Sequence, residues 1–347
     1  MSIVEVAKLA GCSHTTVSRV INQQPGVSDD AAARVRAAMR RLNYVPPVKR
    51  RGPQPKRRKV VRTGNVAVLM FGTDATPLTA PVTAAAIHAV EEALATNAYS
   101  MTLGQVRDES RLPSVVQRGD IDGLILHGNP PSPELAERLQ RFPAVWMMSP
   151  RSRTGYWGDR VAPDNHAIGA VAADYLIQRG HRRVAFLAID AAHLGFGDRL
   201  AAFEQAATSA GLACDIVRTE GGANYQPGDF RAVRQHVDRL VEAFAQLDER
   251  PTGVFVPRGQ AILMVFEALR SRGIEPGRDV TIIACDNDPA LAGLNPQIAT
   301  VDVRPDRIGR AAVDQLLRRI EKPDLFSKAS VLTEPTLIEP RDTDSVD

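Results

Sequence analysis

A small all-helical head followed by a larger α/β body is the fold class that this sequence of 347 residues predicts. Three observations lead there. Apolar residues recur at helical spacing in three short stretches before Leu42. From Gly64 onward, short apolar runs alternate with amphipathic stretches of ten or more residues, the pattern of parallel strands joined by helices. The charge is segregated in the same way: the first sixty-two residues hold fourteen Lys and Arg against Glu5, Asp29 and Asp30, whereas the remainder holds 29 basic against 37 acidic residues. A head of +11 on a body of −8 implies a polyanionic partner, and nucleic acid above all.

In the head, Ile3, Val6, Ala7 and Ala10 form one apolar stripe, and Gly11 closes that helix. Ser13 caps a second helix whose inward residues are Val17, Val20 and Ile21, ending before the Gln24-Pro25-Gly26 breaker. Ser28 caps a third, with Asp29 and Asp30 in its first turn and Val35, Met39 and Leu42 on its core face. Two helices joined through Gly11-Cys12-Ser13 make a helix-turn-helix, in which the second helix enters the major groove of duplex DNA. His14 and Thr15 then meet base edges, and Arg19, one turn on, presents a forked donor suited to guanine N7 and O6. Thr16, Ser18 and Asn22 are short hydrogen-bonding residues suited to phosphates.

These residues carry a family resemblance. Val6-Ala7-Lys8-Leu9-Ala10-Gly11-Cys12-Ser13, Thr16-Val17-Ser18-Arg19-Val20-Ile21-Asn22, Val27-Ser28 and Leu42-Asn43-Tyr44-Val45-Pro46 closely resemble the DNA-binding head of the LacI/GalR family of bacterial transcription regulators. The resemblance implies that His14, Thr15 and Arg19 read bases while Ser13, Thr16, Ser18 and Asn22 contact the backbone. Beyond Pro46 the sequence departs from that family, whose hinge helix forms on DNA and drives a leucine into the minor groove. Here the segment from Pro47 to Lys59 is rich in proline and arginine, and Pro53 stands near the place of the leucine. The expectation is an extended basic strap, with Arg50 and Arg51 in a narrow A·T-rich minor groove.

In the body, the apolar runs Val66 to Phe71, Gly123 to Leu126, Ala144 to Met148, Val184 to Ile189, Gly253 to Val256 and Val280 to Cys285 suit buried parallel strands. Pro81 to Thr96, His166 to Arg179, Arg199 to Ala210, Gly228 to Ala245 and Ala261 to Arg272 suit the connecting helices. A body this long is expected to divide into two lobes. The looser resemblance of Asp122-Gly123-Leu124-Ile125-Leu126, Asp164-Asn165 with Gly169, Gly180 to Phe186, Pro251 to Phe255 and Cys285-Asp286-Asn287 to the same family implies two Rossmann-like lobes of the periplasmic-binding-protein type around a small effector. The expected domains are 1–46, a linker 47–63, and a body 64–347 whose chain crosses between lobes near Ala162, Leu291 and Pro323.

Ligands of open α/β sheets sit beyond the carboxyl ends of strands, which selects Thr73, Asp74, His127, Ser149, Arg258 and Asp286. Arg199, expected to open the helix after the Ile189 strand, resembles the effector-gripping arginine of the family. Tyr225 is the candidate stacking plate for a sugar, with Phe230 as its competitor. Arg258 stands where the family often has Asn-Asp, which points toward an acidic or phosphorylated sugar.

Catalysis finds little support: no Gly-x-Ser-x-Gly elbow, P-loop or Gly-x-Gly-x-x-Gly fingerprint is present. Cys12, Cys214 and Cys285 are widely separated and lack zinc-ligand spacing, as expected of thiols in a reducing compartment. Glu5 and Lys8 interrupt the N-terminus where an export signal would be apolar, so a cytoplasmic location is expected. The expectation is therefore a DNA-binding regulator, a repressor acting as a homodimer on a pseudo-palindromic operator under a small carbohydrate effector, with no metal, cofactor or membrane. The alternative is a sugar sensor without a DNA-binding role.

Overall fold

The computed structural model describes residues 2–22, 25–44, 62–72, 81–189, 193–219, 230–322 and 327–340. The chain divides into two units, Met1–Val61 and Arg62–Asp347. In the first unit, α1 (Ile3–Ala10) begins with a reciprocal Ser2/Glu5 capping box and ends at Gly11 in the left-handed conformation. Ser13 and Ser28 cap α2 (His14–Ile21) and α3 (Asp29–Arg41) by accepting the Thr16 and Ala31 amides. Val6, Ala7, Ala10, Val17, Val35 and Ala38 form the buried core, with Ile3, Val20, Ile21, Met39 and Leu42 packed around it. Helical spacing in the sequence is thus realised as the inward face of each helix.

The second unit contains two six-stranded sheets of the same strand order. The first sheet contains β1 (Asn65–Phe71), β2 (Ser100–Val106), β3 (Gly123–Gly128), β4 (Ala144–Met147), β5 (Asp159–Pro163) and β11 (Ser330–Thr333), ordered β11-β5-β4-β3-β1-β2 and parallel throughout. The second contains β6 (Arg183–Leu187), β7 (Ala213–Val217), β8 (Gly253–Val256), β9 (Thr281–Cys285), β10 (Ala299–Asp302) and β12 (Thr336–Ile338). Its order is β12-β10-β9-β8-β6-β7, parallel except for β12.

Helices cover both faces of each sheet. α4 (Pro81–Thr96) and α11 (Pro305–Glu321) bury Ala86, Val90, Leu94, Ile308, Val313 and Leu316 on one face of the first sheet. α5 (Ser114–Arg118) and α6 (Pro133–Leu139) close the other with Val116, Leu135 and Leu139. In the second lobe α9 (Phe230–Ala245) and α10 (Ile262–Arg270) cover one face, and α7 (Asn165–Gln178) and α8 (Leu194–Ser209) the other.

The chain crosses between the sheets three times. The first crossing follows β5 at Asp164, before α7. The second falls at Val303 and Arg304, because β10 still belongs to the second sheet, and the third at Glu334 and Pro335, because β11 belongs to the first. The crossings expected near Leu291 and Pro323 therefore lie further along the chain, and residues 291–302 belong to the second lobe rather than the first. Pro323 itself is outside the described residues. α8 likewise begins at Leu194, so Arg199 sits in its second turn instead of opening it.

Two sets of contacts fix α8 and α11 against their sheets. Phe186, Phe203 and Phe255 meet with ring centroids 5.4–5.8 Å apart, each burial contributing about 1.5–3 kcal/mol, and so clamp α8 onto β6 and β8. Asp159, fully buried, accepts Arg319 Nη2 at 2.6 Å, Gln315 Nε2 at 2.9 Å and the Ala329 amide at 2.9 Å, tying α11 and β11 to β5. Burial alone would raise the Asp159 carboxyl, but these hydrogen bonds and the Arg319 charge outweigh it and hold it below the usual carboxylate value. Asp159→Asn is expected to cost about 3 kcal/mol by leaving Arg319 without its counter-charge, read as a lower urea midpoint at unchanged slope.

Candidate functional site

On the exposed side of α2, Thr15, Arg19 and Asn22 follow one another at i, i+4 and i+7, opposite the buried Val17. His14 is exposed at the first turn, and Thr16 and Ser18 are half-buried. Ser13 Oγ is engaged by the Thr16 amide at 3.2 Å and the Thr16 hydroxyl at 2.9 Å, so both residues first serve the helix start. Asn22 Nδ2 donates to the Ser18 carbonyl at 2.7 Å. The helix thus offers a fork, Arg19, flanked by short polar groups along the face the head leaves open. Arg50 and Arg51 lie outside the described residues.

In the body, strand order reverses between β1 and β3 and again between β6 and β8, and the carboxyl ends of strands at such points are where ligands of open sheets bind. Arg199 occupies the second of these. Its guanidinium is buried, yet Nε donates to Asn165 Oδ1 at 3.0 Å, and Nη1 donates to the Pro257 carbonyl at 2.5 Å and lies 3.4 Å from Asp286 Oδ1. The Phe196 ring lies 4.8 Å from the guanidinium carbon. Asp286 Oδ2 accepts the Gly259 amide at 3.2 Å, so one carboxylate joins the ends of β8 and β9 to α8. It does so from a left-handed backbone, with φ 78° at Asp286 and 44° at Asn287.

The two lobes meet beside this arginine. Asn165 Nδ2 donates to Ser149 Oγ at 2.9 Å, linking the first residue of α7 to the end of β4. A Cβ on Gly195, in the first turn of α8, would stand 2.8 Å from the same hydroxyl. Arg199 in the second lobe is thereby joined through Asn165 to Ser149 in the first. Gly169 makes this possible, since any side chain there would collide with the Arg199 carbonyl and force α7 and α8 apart.

Two imidazoles flank the junction. His127, buried at the end of β3, has Nδ1 3.2 Å from the Met147 carbonyl, and burial followed by the Arg151 charge lowers its pKa to about 4. His193 caps α8 by accepting the Gly195 amide on Nδ1 at 3.2 Å; burial and then Arg151, Arg199 and Arg258 lower it to about 3. Both rings are neutral at pH 7.

Of the expected site residues, the structure therefore joins Ser149, Arg199 and Asp286 in one network through Asn165. His127 and Arg258 belong to the same charged neighbourhood through Arg151 and His193. Thr73, Asp74 and Tyr225 lie outside the described residues; Phe230 opens α9. Sequence reasoning did not single out Arg151, Asn165, His193 or Phe196 as site residues. Arg151 satisfied the strand-end criterion, standing just past β4, whereas His193 and Phe196 were hidden by placing the helix start at Arg199. Among the described residues no group of three His, Cys, Asp or Glu could hold a metal ion.

Because His127 in the unfolded chain protonates near 6.5 and in the folded chain only near 4, the folded state loses stability as pH falls through that window. Between pH 7 and pH 4.5 the wild-type body is expected to lose about 2 kcal/mol more than His127→Gln, measured by urea unfolding at both pH values.

Residues 2–47 match the family model described as bacterial regulatory proteins, lacI family, and residues 173–343 match a periplasmic binding protein-like domain. No helix among the described residues is long and apolar enough to cross a membrane. The ribose operon repressor of Escherichia coli (strain K12) is 30% identical over 96% of this chain and 97% of its own length. The transcriptional repressor PurR of Erwinia tasmaniensis is 30% identical over 98% of this chain and 96% of its own. Among solved structures, the transcriptional regulator CelR in complex with cellobiose superposes with a TM-score of 0.66 at 23% identity, covering 98% of this chain and 99% of that one. A capped helix-turn-helix at the amino end, two like-ordered parallel sheets behind it and chain-long likeness to these repressors establish that the chain belongs to the lacI family of bacterial regulatory proteins.

Proposed function

We propose that the chain is a cytoplasmic repressor of transcription that binds a pseudo-palindromic operator as a homodimer and is controlled by a small carbohydrate in the cleft of its body. The observation that carries this reading is the head: a sequence matched to the lacI model over residues 2–47, whose second helix leaves Thr15, Arg19 and Asn22 on one exposed face. One such helix spans only a half-site, so useful affinity calls for two heads related by a two-fold axis. Arg19 reads a guanine, His14 and Thr15 meet neighbouring base edges, and Ser13, Thr16, Ser18 and Asn22 hold phosphates. Arg50 and Arg51 add minor-groove contacts at an A·T-rich operator centre, on the strength of their setting among prolines.

The carbohydrate reading draws on the relatives. One is named for the ribose operon, and a structure of the same fold holds cellobiose. In this chain Arg199 and Asp286 offer paired donors and acceptors of the kind that hydroxyl groups require, while the sequence carries no Gly-x-Ser-x-Gly elbow or P-loop motif of acyl or phosphoryl transfer. A ligand on Arg199 pulls on Asn165 and thence on Ser149, so occupancy biases lobe closure and with it the spacing of the two heads.

Selection of bound duplexes from fragmented genomic DNA tests the reading, with a shared pseudo-palindrome expected and a random set of fragments contradicting it. Arg19→Ala is expected to cost about 1–3 kcal/mol at the preferred site and to relax one base position, as measured by fluorescence anisotropy. Operator affinity is expected to fall about 10³- to 10⁵-fold between 50 and 200 mM salt. Asn165→Ala is expected to shrink the factor by which ligand changes operator affinity, typically about 5- to 150-fold in allosteric proteins, toward one.

A further inference from the structure

Beside the polar network of Arg199 lies a compartment of opposite chemistry. Resting on the reading of the body as a carbohydrate sensor, we propose that its effector is a glycoside, a sugar carrying a ring-sized apolar group on its anomeric oxygen, and that this group fills a cavity of the second lobe walled by Phe186, Phe196, Leu200 and Pro257.

The cavity measures about 320 Å³ and lies at the carboxyl ends of β6, β7 and β8, beside the point where strand order reverses. One wall is Phe186, fully buried and held against Phe203 and Phe255 at centroid distances of 5.8 and 5.4 Å. Ile189 and Pro257, past the ends of β6 and β8, and Phe196 and Leu200, from the first two turns of α8, continue the apolar lining. Arg218, past β7, is the one charged side chain among the described lining residues. A Cβ on Gly197, another lining residue, would meet nothing within 4 Å. The helix therefore has room at this wall that its own side chains do not take up.

Sugar hydroxyls need donors and acceptors, and the described side chains of this lining offer few, so the sugar ring itself belongs with Arg199 and Asp286. Water has little to bond to there for the same reason, whereas an apolar group gains by the area it removes from water. An apolar hollow of about 150 Å³ already admits benzene, so this cavity accommodates a six-membered ring with space for a substituent. The two compartments also share walls. The Phe196 ring lies 4.8 Å from the Arg199 guanidinium carbon, and the Pro257 carbonyl accepts Arg199 Nη1 at 2.5 Å. One ligand with a hydroxylated end and an apolar end satisfies both compartments, and its apolar end bears on the two residues that hold the arginine.

Calorimetric titration of the full-length chain with matched methyl and phenyl β-glycosides of glucose, cellobiose and ribose tests the proposal. At least one phenyl glycoside is expected to bind about tenfold or more tightly than its methyl counterpart, with a more negative heat-capacity change, the mark of apolar burial. Leu200→Trp, which adds bulk at the lining, is expected to cut that advantage at least about fivefold. Ala188→Val, a smaller addition to the same lining, repeats the test if Leu200→Trp lowers the melting temperature. Phenyl and methyl glycosides binding alike, an advantage that survives both substitutions, or no binding by any glycoside of the set overturns the assignment. Operator titrations on the same preparation distinguish the failures. Specific DNA binding with an equal response to methyl and phenyl glycosides defeats only the apolar subsite, whereas absent DNA preference defeats the regulator itself.

Discussion

The body is organised around one buried positive charge. Arg199 lies out of water on α8, a placement that costs several kcal/mol unless acceptors surround it. Three elements supply them: Asn165 at the first lobe crossing, the Pro257 carbonyl beyond β8 and Asp286 beyond β9. The surrounding structure serves this constraint. Gly169 lets α7 approach α8 closely enough for Asn165 to reach; Phe203, one turn after Arg199 on the same face, wedges α8 against β6 and β8; and the left-handed turn at Asp286 and Asn287 brings the carboxylate round to meet the guanidinium. Removing Asp286 would leave the guanidinium without its counter-charge at the place where the lobes join.

That arrangement gives the cleft a physical reason to be sensitive to a ligand. Among the described residues the bonds of Arg199 pass into the first lobe through Asn165 and Ser149, so a molecule that competes for the arginine or its acceptors acts on the contact between lobes as well as on itself. The energy available for switching is the difference in ligand affinity between the two lobe arrangements, and no more. Charge does related work at the other end of the chain. The head holds a large excess of basic residues, which favours DNA at a distance, whereas in the function proposed above the choice among sequences rests on the few groups along the outer face of α2.

How much of this was legible in the sequence depended on the range of the interaction. Caps and stripes are local, so Ser13, Ser28, Gly11 and the core faces of the three head helices could be read directly. Central strands such as β3, β8 and β9 are buried on both faces and show as continuous apolar runs, whereas the edge strands β2 and β7, with mixed burial, carry no such mark and were not expected. The lobe crossings at Arg304 and at Glu334 were misplaced because exchange of a strand between sheets is decided by tertiary pairing. Nothing local distinguishes β10 in the second sheet from a strand of the first. The helix was expected from Arg199, whereas α8 begins at Leu194, and that difference left out His193 and Phe196. Arg199 and Asp286 were found by motif and strand-end position together, but the amide that joins Arg199 to the other lobe belongs to a landmark, Asp164-Asn165, whose side-chain direction only the fold reveals.

The most direct measurement of the central claim, that the body senses a ligand and the head senses DNA through one shared equilibrium, is the ligand affinity of the full-length chain titrated with and without saturating operator duplex. Linkage requires operator to change ligand affinity by the same factor by which ligand changes operator affinity, and a matching factor clearly different from one is the expected result. A ligand that binds with the same affinity whether or not operator is present would show that the cleft and the head are independent, and would contradict the account.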